Sequence, residues 1–119
     1  KVPLGLAGAQ RAPLPLTGRV RAIGDGCFRI SGPIYTGEVW SMGRSVVLDH
    51  AAGSVVVCER PMEPLDLGVF TSLGVDPRGF DHLILKSRMY CRPAFNSKDC
   101  RWWWPPIWGV LAARRWRTP

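Results

Sequence analysis

The sequence contains no apolar run approaching the roughly 18 residues that a spanning helix needs, so it offers no candidate membrane span. It has only 2 His, too few nitrogen ligands for a catalytic zinc site without recruited carboxylates or thiolates. Its 4 Cys, at Cys27, Cys58, Cys91 and Cys100, form no C-x-x-C pair, and no zinc-finger pattern can be written. Free buried thiols are the expected state, ahead of a disulfide or metal ligation. H-E-x-x-H, G-x-S-x-G, the P-loop and G-x-G-x-x-G are all missing, which removes the sequence-local signatures of zinc proteases, serine hydrolases and nucleotide-binding enzymes. The opening Lys1-Val2-Pro3-Leu4 is no signal peptide, because its apolar stretch is broken by Pro3, Gly5 and Gly8. A cytoplasmic location is the expectation. A start without Met reads as a piece of a longer protein.

What is present suffices for one folded domain. The chain has 119 residues, 46% hydrophobic and 21% charged, which excludes intrinsic disorder and allows a real core. With 13 Gly and 11 Pro and no collagen period, it is rich in turns. The net charge is +7, but it is unevenly spread. Residues 1–96 hold 11 basic and 8 acidic residues, whereas residues 97–119 hold five basic and one acidic. The body is only mildly basic, which weakens the nucleic-acid reading that a whole-chain pI of 9.9 invites.

The patterning is that of an α+β, β-rich single domain with short hairpins and one short helix. Residues 1–12 form an extended lead-in. Leu14, Leu16, Val20 and Ala22 alternate with Pro15, Thr17, Arg19 and Arg21, a period of two that predicts a strand with one buried face. Gly24-Asp25-Gly26 is a turn, and Phe28 and Ile30 continue into a second strand, so residues 14–30 read as a hairpin. The β-branched runs Ser45–Asp49 and Ser54–Cys58 are joined by a connection of hairpin length. Asp66 can cap a short helix of about two turns through Leu73, despite Gly68, with Gly74 in the αL position after it. Asp76-Pro77 starts a turn, and His82–Lys86 predicts one more buried strand.

Candidate chemistry concentrates in Lys86-Ser87-Arg88-Met89-Tyr90-Cys91-Arg92, three cations in seven residues after an apolar strand. Lys86 and Arg92 can bind a substrate carboxylate or phosphate, and Ser87 stands between them. A solvated basic loop is the competing reading. The pairs Asp49-His50 and Asp81-His82 put each carboxylate and imidazole on opposite faces of a strand, so both read as strand-end residues. No residue is assigned as a metal ligand.

Several ordered blocks between residues 13 and 96 resemble the C-terminal domain of the MlrC-type metallopeptidases, the family of the microcystin-degrading enzyme. They are Pro13-Leu14-Pro15-Leu16-x-Gly18-x-Val20-Arg21, Asp25-Gly26-x-Phe28, Gly32-Pro33-x-Tyr35-x-Gly37 and Gly43-Arg44-x-Val46-Val47-Leu48. Val55-Val56-Val57 follows, then the most specific stretch, Pro64-x-Asp66-x-x-x-Phe70-x-Ser72-x-Gly74-Val75-Asp76-Pro77. Leu83-x-Leu85-Lys86-Ser87 and Arg92-x-Ala94-Phe95 complete the set.

The resemblance implies one part of a two-domain hydrolase. Zinc and its ligands would belong to an N-terminal domain, which is the implied partner, with a peptide as the substrate of the whole enzyme. This chain would close the cleft or act as scaffold, with no cofactor and no catalytic residue of its own, and with Lys86, Ser87 and Arg92 facing substrate. The family usually reads Lys-Ser-x-x-His-Phe-Arg here, whereas this chain has Tyr90 and Cys91 in the His and Phe places. A phenol with a pKa near ~10 is a poor base at neutral pH.

The end differs more. Residues 97–119 form an atypical Trp/Arg-rich tail holding five of the 6 Trp, where the family continues with a strand and a Pro/Asp-rich close. GC-rich codons read out of frame give such runs, so an altered end, dispensable for the body, is the expectation. The alternative function is a non-catalytic binding protein. Its basic Trp-rich tail would contact single-stranded nucleic acid or an anionic membrane surface.

Overall fold

The computed structural model describes residues 2–4, 14–87, 89–95, 101–103 and 111–114. The fold is α+β and strand-rich. In chain order it runs β1 (Val2–Leu4), β2 (Leu14–Leu16), β3 (Arg19–Gly24), β4 (Cys27–Arg29), β5 (Val39–Ser41), β6 (Ser45–His50) and β7 (Gly53–Cys58). Then come α1 (Gly68–Thr71), a 3-10 turn (Pro77–Gly79), β8 (His82–Leu85), α2 (Arg92–Phe95), β9 (Arg101–Trp103) and β10 (Leu111–Arg114). All pairings are antiparallel, in four small sheets ordered β1-β2, β3-β6-β7, β4-β5 and β8-β10-β9.

The β6–β7 hairpin matches its β-branched runs, with His50 opposite Gly53 and Ser45 opposite Cys58. β6 is the buried centre of its sheet, with Val47 fully buried and Leu48 nearly so. The expected 14–30 hairpin does not form. The chain changes sheets at Asp25, whose carboxylate accepts from Cys27 N at 2.9 Å. β3 goes to β6 and β4 goes to β5. The alternation expected along β3 also fails, because a register shift between Val20 and Ala22 inserts an extra residue and turns the pleat over. Val20 is left half-exposed and Ile23 exposed. The lead-in supplies β1, which pairs with β2, so the expected strand from Leu14 breaks at Thr17-Gly18.

The predicted helix is present but shorter. Asp66 accepts from Gly68 N at 2.8 Å, while Leu67 holds the cap position itself without a side-chain bond. Gly74 is left-handed at φ 72. Gly68, an apparent liability, is required: a Cβ there would overlap the Phe28 ring, so its absence lets α1 lie on β4. The core gathers Met42, Val47, Val69, Leu73, Val75, Leu85, Cys91 and Phe95. Phe70 and Phe95 meet edge to face at 6.0 Å between ring centroids, the arrangement the ring quadrupoles favour.

β8 is less buried than its apolar letters predict. Leu85 is buried, but Ile84 is exposed, because it points to the opposite face from Leu83 and Leu85 and only that one face meets the core. The segment after Asn96 shows no sequence period, yet it supplies two strands. Leu111–Arg114 pairs antiparallel with Leu85–His82, and β9 pairs with the other side of β10.

Candidate functional site

Where β8 ends, the chain forms a closed loop. Ser87 is 2% exposed, and its hydroxyl donates to the Glu63 carboxylate while accepting from Cys91 N at 3.3 Å. One side chain thus ties the start of the loop to its end and to the segment before α1. Arg92 N donates to Met89 O at 3.0 Å and Phe95 N to Cys91 O at 3.0 Å, which starts α2. The buried Phe95 anchors that helix in the core. Met89 and Tyr90 are left exposed at the tip.

Beside β8 lies a groove of about 650 Å³. Its floor is apolar, with Val47, Val69, Phe70 and Val75, and its rim carries Asp81 and His82 at the start of β8 and Lys86 beyond its end. Of the three residues singled out from sequence, Lys86 lines this groove, whereas Ser87 and Arg92 do not. Lys86 is exposed and Ser87 is buried. Arg92 is half-buried at the start of α2. The loop therefore brings the three together in sequence but divides them by environment.

Two acidic residues organise these loops from a distance. Asp66 is 1% exposed. Its Oδ1 accepts from Ser31 N at 3.2 Å and from Gly32 N at 2.7 Å, and its Oδ2 accepts from Gly68 N. The sequence reading gives Asp66 only the helix role. Glu63, which holds Ser87, was not anticipated; its only sequence signal is an acid between Met62 and Pro64 in an otherwise apolar stretch.

These blocks belong together for a reason that a sequence comparison states directly. Residues 2–104 match the family described as MlrC C-terminus. The chain belongs to this family. The match takes in the lead-in and the first part of the Trp-rich segment as well as residues 13–96. No curated protein and no solved structure matches the chain.

Within this MlrC C-terminal domain, the two Asp-His pairs have separate surroundings. Asp49 accepts from Ser54 Oγ at 2.7 Å and pairs with Arg21 at 2.9 Å. The Ser54 hydroxyl and then the Arg21 guanidinium hold its carboxyl below the usual range. His50 Nδ1 accepts from Ala52 N at 3.1 Å in the hairpin turn. His82 lies on the groove rim. The described thiols are free, but only Cys91 is buried as expected: Cys27 and Cys58 are exposed, because they stand at the ends of β4 and β7. Cys91 packs in the core, and burial pushes its thiol up. Cys100 lies outside the described residues. Among the described residues no three His, Cys, Asp or Glu side chains converge to hold a metal ion. No helix among the described residues is long and apolar enough to cross a membrane.

Proposed function

We propose that this chain is the cleft-facing C-terminal domain of an MlrC-like zinc metallopeptidase, without catalytic activity of its own. The observation that supports this reading best is the environment of Lys86. It is exposed on the rim of an apolar groove, directly after a strand and directly before Ser87, whose hydroxyl bonds Glu63 and Cys91 N. An ammonium so placed can hold a substrate carboxylate against an apolar wall. In this reading Lys86 makes the contact, Arg92 adds positive charge beyond the loop, and Ser87 serves by fixing the loop. The zinc and its ligands belong to the N-terminal partner domain.

The test joins this chain with an N-terminal MlrC domain, in one polypeptide or by mixing. Zinc-dependent peptide hydrolysis should arise in the joined protein and be absent from this chain alone. Lys86→Ala should lower kcat/KM about ten-fold, the lower end of a charge-assisted hydrogen bond, with zinc content unchanged. Tyr90→His restores the family residue and should raise activity if an imidazole is needed there. An inert Lys86→Ala together with a silent Tyr90→His would leave the domain as scaffold only.

A further inference from the structure

The groove runs along two strand edges, with Val47 of the central strand in its floor. Along β7 the lining takes consecutive residues, Gly53, Ser54, Val55 and Val56, where a wall made by one face of a strand would take every second residue. The same holds along β8, with His82, Leu83 and Ile84. β7 is the terminal strand of β3-β6-β7, and β8 is the terminal strand of β8-β10-β9. Among the described residues neither outer edge has a strand partner.

The free edge of β7 can be specified atom by atom. Glu59 N donates to Arg44 O at 3.0 Å, which marks Arg44 and Glu59 as a hydrogen-bonded pair in register with His50 and Gly53. Antiparallel ladders alternate hydrogen-bonded and non-bonded pairs. Val55 and Val57 therefore point their N–H and C=O groups at β6, and Ser54, Val56 and Cys58 point theirs outward. A row of outward donors and acceptors above an apolar floor is the template for strand addition.

We propose that this groove binds an extended peptide segment. The peptide pairs with the outer edge of β7, sets alternate apolar side chains on the floor of Val47, Phe70 and Val75, and places a carboxylate against Lys86. The occupant is peptidic because only a backbone matches the alternating donors and acceptors of the edge. It is acidic only at the end that meets Lys86, an exposed ammonium, because Asp81 stands at the other end of β8 and repels a carboxylate there. The inference shares Lys86 with the proposed function, but its test needs neither zinc, nor a second domain, nor hydrolysis, so each can fail without the other.

The full chain is titrated with the pentapeptide acetyl-Thr-Val-Thr-Val-Glu, followed by NMR and amide exchange. Binding should slow exchange at Ser54, Val56 and Cys58, while Val55 and Val57 are already slow in the free chain. The same peptide N-methylated at alternate residues should lose binding, since it cannot pair with the edge. Lys86→Ala should weaken the peptide roughly two- to five-fold, the range of an exposed ion pair, and added salt should do the same. Decanoate supplies apolar surface and a carboxylate without a backbone. If decanoate and the N-methylated peptide bind as well as the parent, the groove is an apolar-acid pocket and the proposal is overturned. It is equally overturned if the peptide does not bind, or if Ser54, Val56 and Cys58 are already protected in the free chain.

Discussion

The carboxylate of Asp66 lies 2.7 Å from the backbone nitrogen of Gly32, across 34 residues of sequence. It fastens the turn after β4 to the entrance of α1. Gly32 is needed for the approach: a Cβ there would stand 2.8 Å from the same oxygen and 3.3 Å from Ala94.

Asp66→Ala is expected to destabilise the domain by about 2–4 kcal/mol, because three amide groups lose one buried acceptor. Asp66→Asn retains one carbonyl oxygen and should cost less. Urea unfolding of the three proteins orders them. If Asp66→Ala unfolds at the same urea concentration as the parent, the carboxylate does not hold these turns.

Ser87 and Glu63 define the loop after β8, and two variants separate shape from charge. Ser87→Ala removes both bonds of the hydroxyl, and Glu63→Gln keeps an acceptor for it. In the joined enzyme Ser87→Ala should lower kcat and broaden the amide signals of Met89 and Tyr90, whereas Glu63→Gln should do neither strongly. Equal losses from both would mean that the negative charge of Glu63, and not its acceptor, is what matters.

Stability should fall on the acid side. Ser54 and Arg21 hold the Asp49 carboxyl below its ordinary value, Arg44 does so for Glu59, and Arg78 does so for Asp76. A carboxyl with a depressed folded pKa contributes stability above its unfolded value, and that contribution is lost as pH falls through the folded value. The loss therefore lies below about pH 4. Glu59 and Asp76 face solvent and Asp49 does so in part, so salt should flatten the slope. Thermal midpoints between pH 2 and 7, with and without salt, measure both effects. Asp49→Asn should remove part of the acid slope.

Truncation after Phe95 removes β9 and β10 and strips β8 of its described partner, while β3-β6-β7 takes no strand from that region. Amide protection at Leu83 and Leu85 should fall, and protection at Val46 and Val47 should persist. Global unfolding would show instead that the last residues belong to the core.

The sequence was most readable where one local cause decides the structure. The β-branched runs of β6 and β7 sit either side of a two-residue turn, and that hairpin is as expected. Gly74 after Leu73 could end a helix only by going left-handed, and it does. The failures come from partners distant in sequence. Nothing near Asp25 reveals that β3 and β4 leave for different sheets, and the bulge at Val20 is set by β6. Ile84 reads as core, yet only the opposite face of β8, with Leu83 and Leu85, turns inward. In the candidate loop, Lys86, Ser87 and Arg92 were visible as polar residues after a strand. That Ser87 would be buried on Glu63 was not, because 24 residues separate the two. Family blocks identified the domain, which period and propensity could not, but they gave none of these distant pairings.

The placement of β6 sets an order of assembly. Its partner β7 follows after two residues, so that ribbon can close by itself in about 1–10 μs, the time of an ordinary hairpin. Its other partner, β3, must return past β4 and β5, so Arg21 reaches Asp49 across 28 residues. Closing such a loop pays its entropy before any contact rewards it. The two flanks of one strand thus form on different clocks. Substitutions in the β6–β7 turn at Ala51-Ala52 should slow refolding, whereas substitutions at Arg21 or Val20 should chiefly speed unfolding.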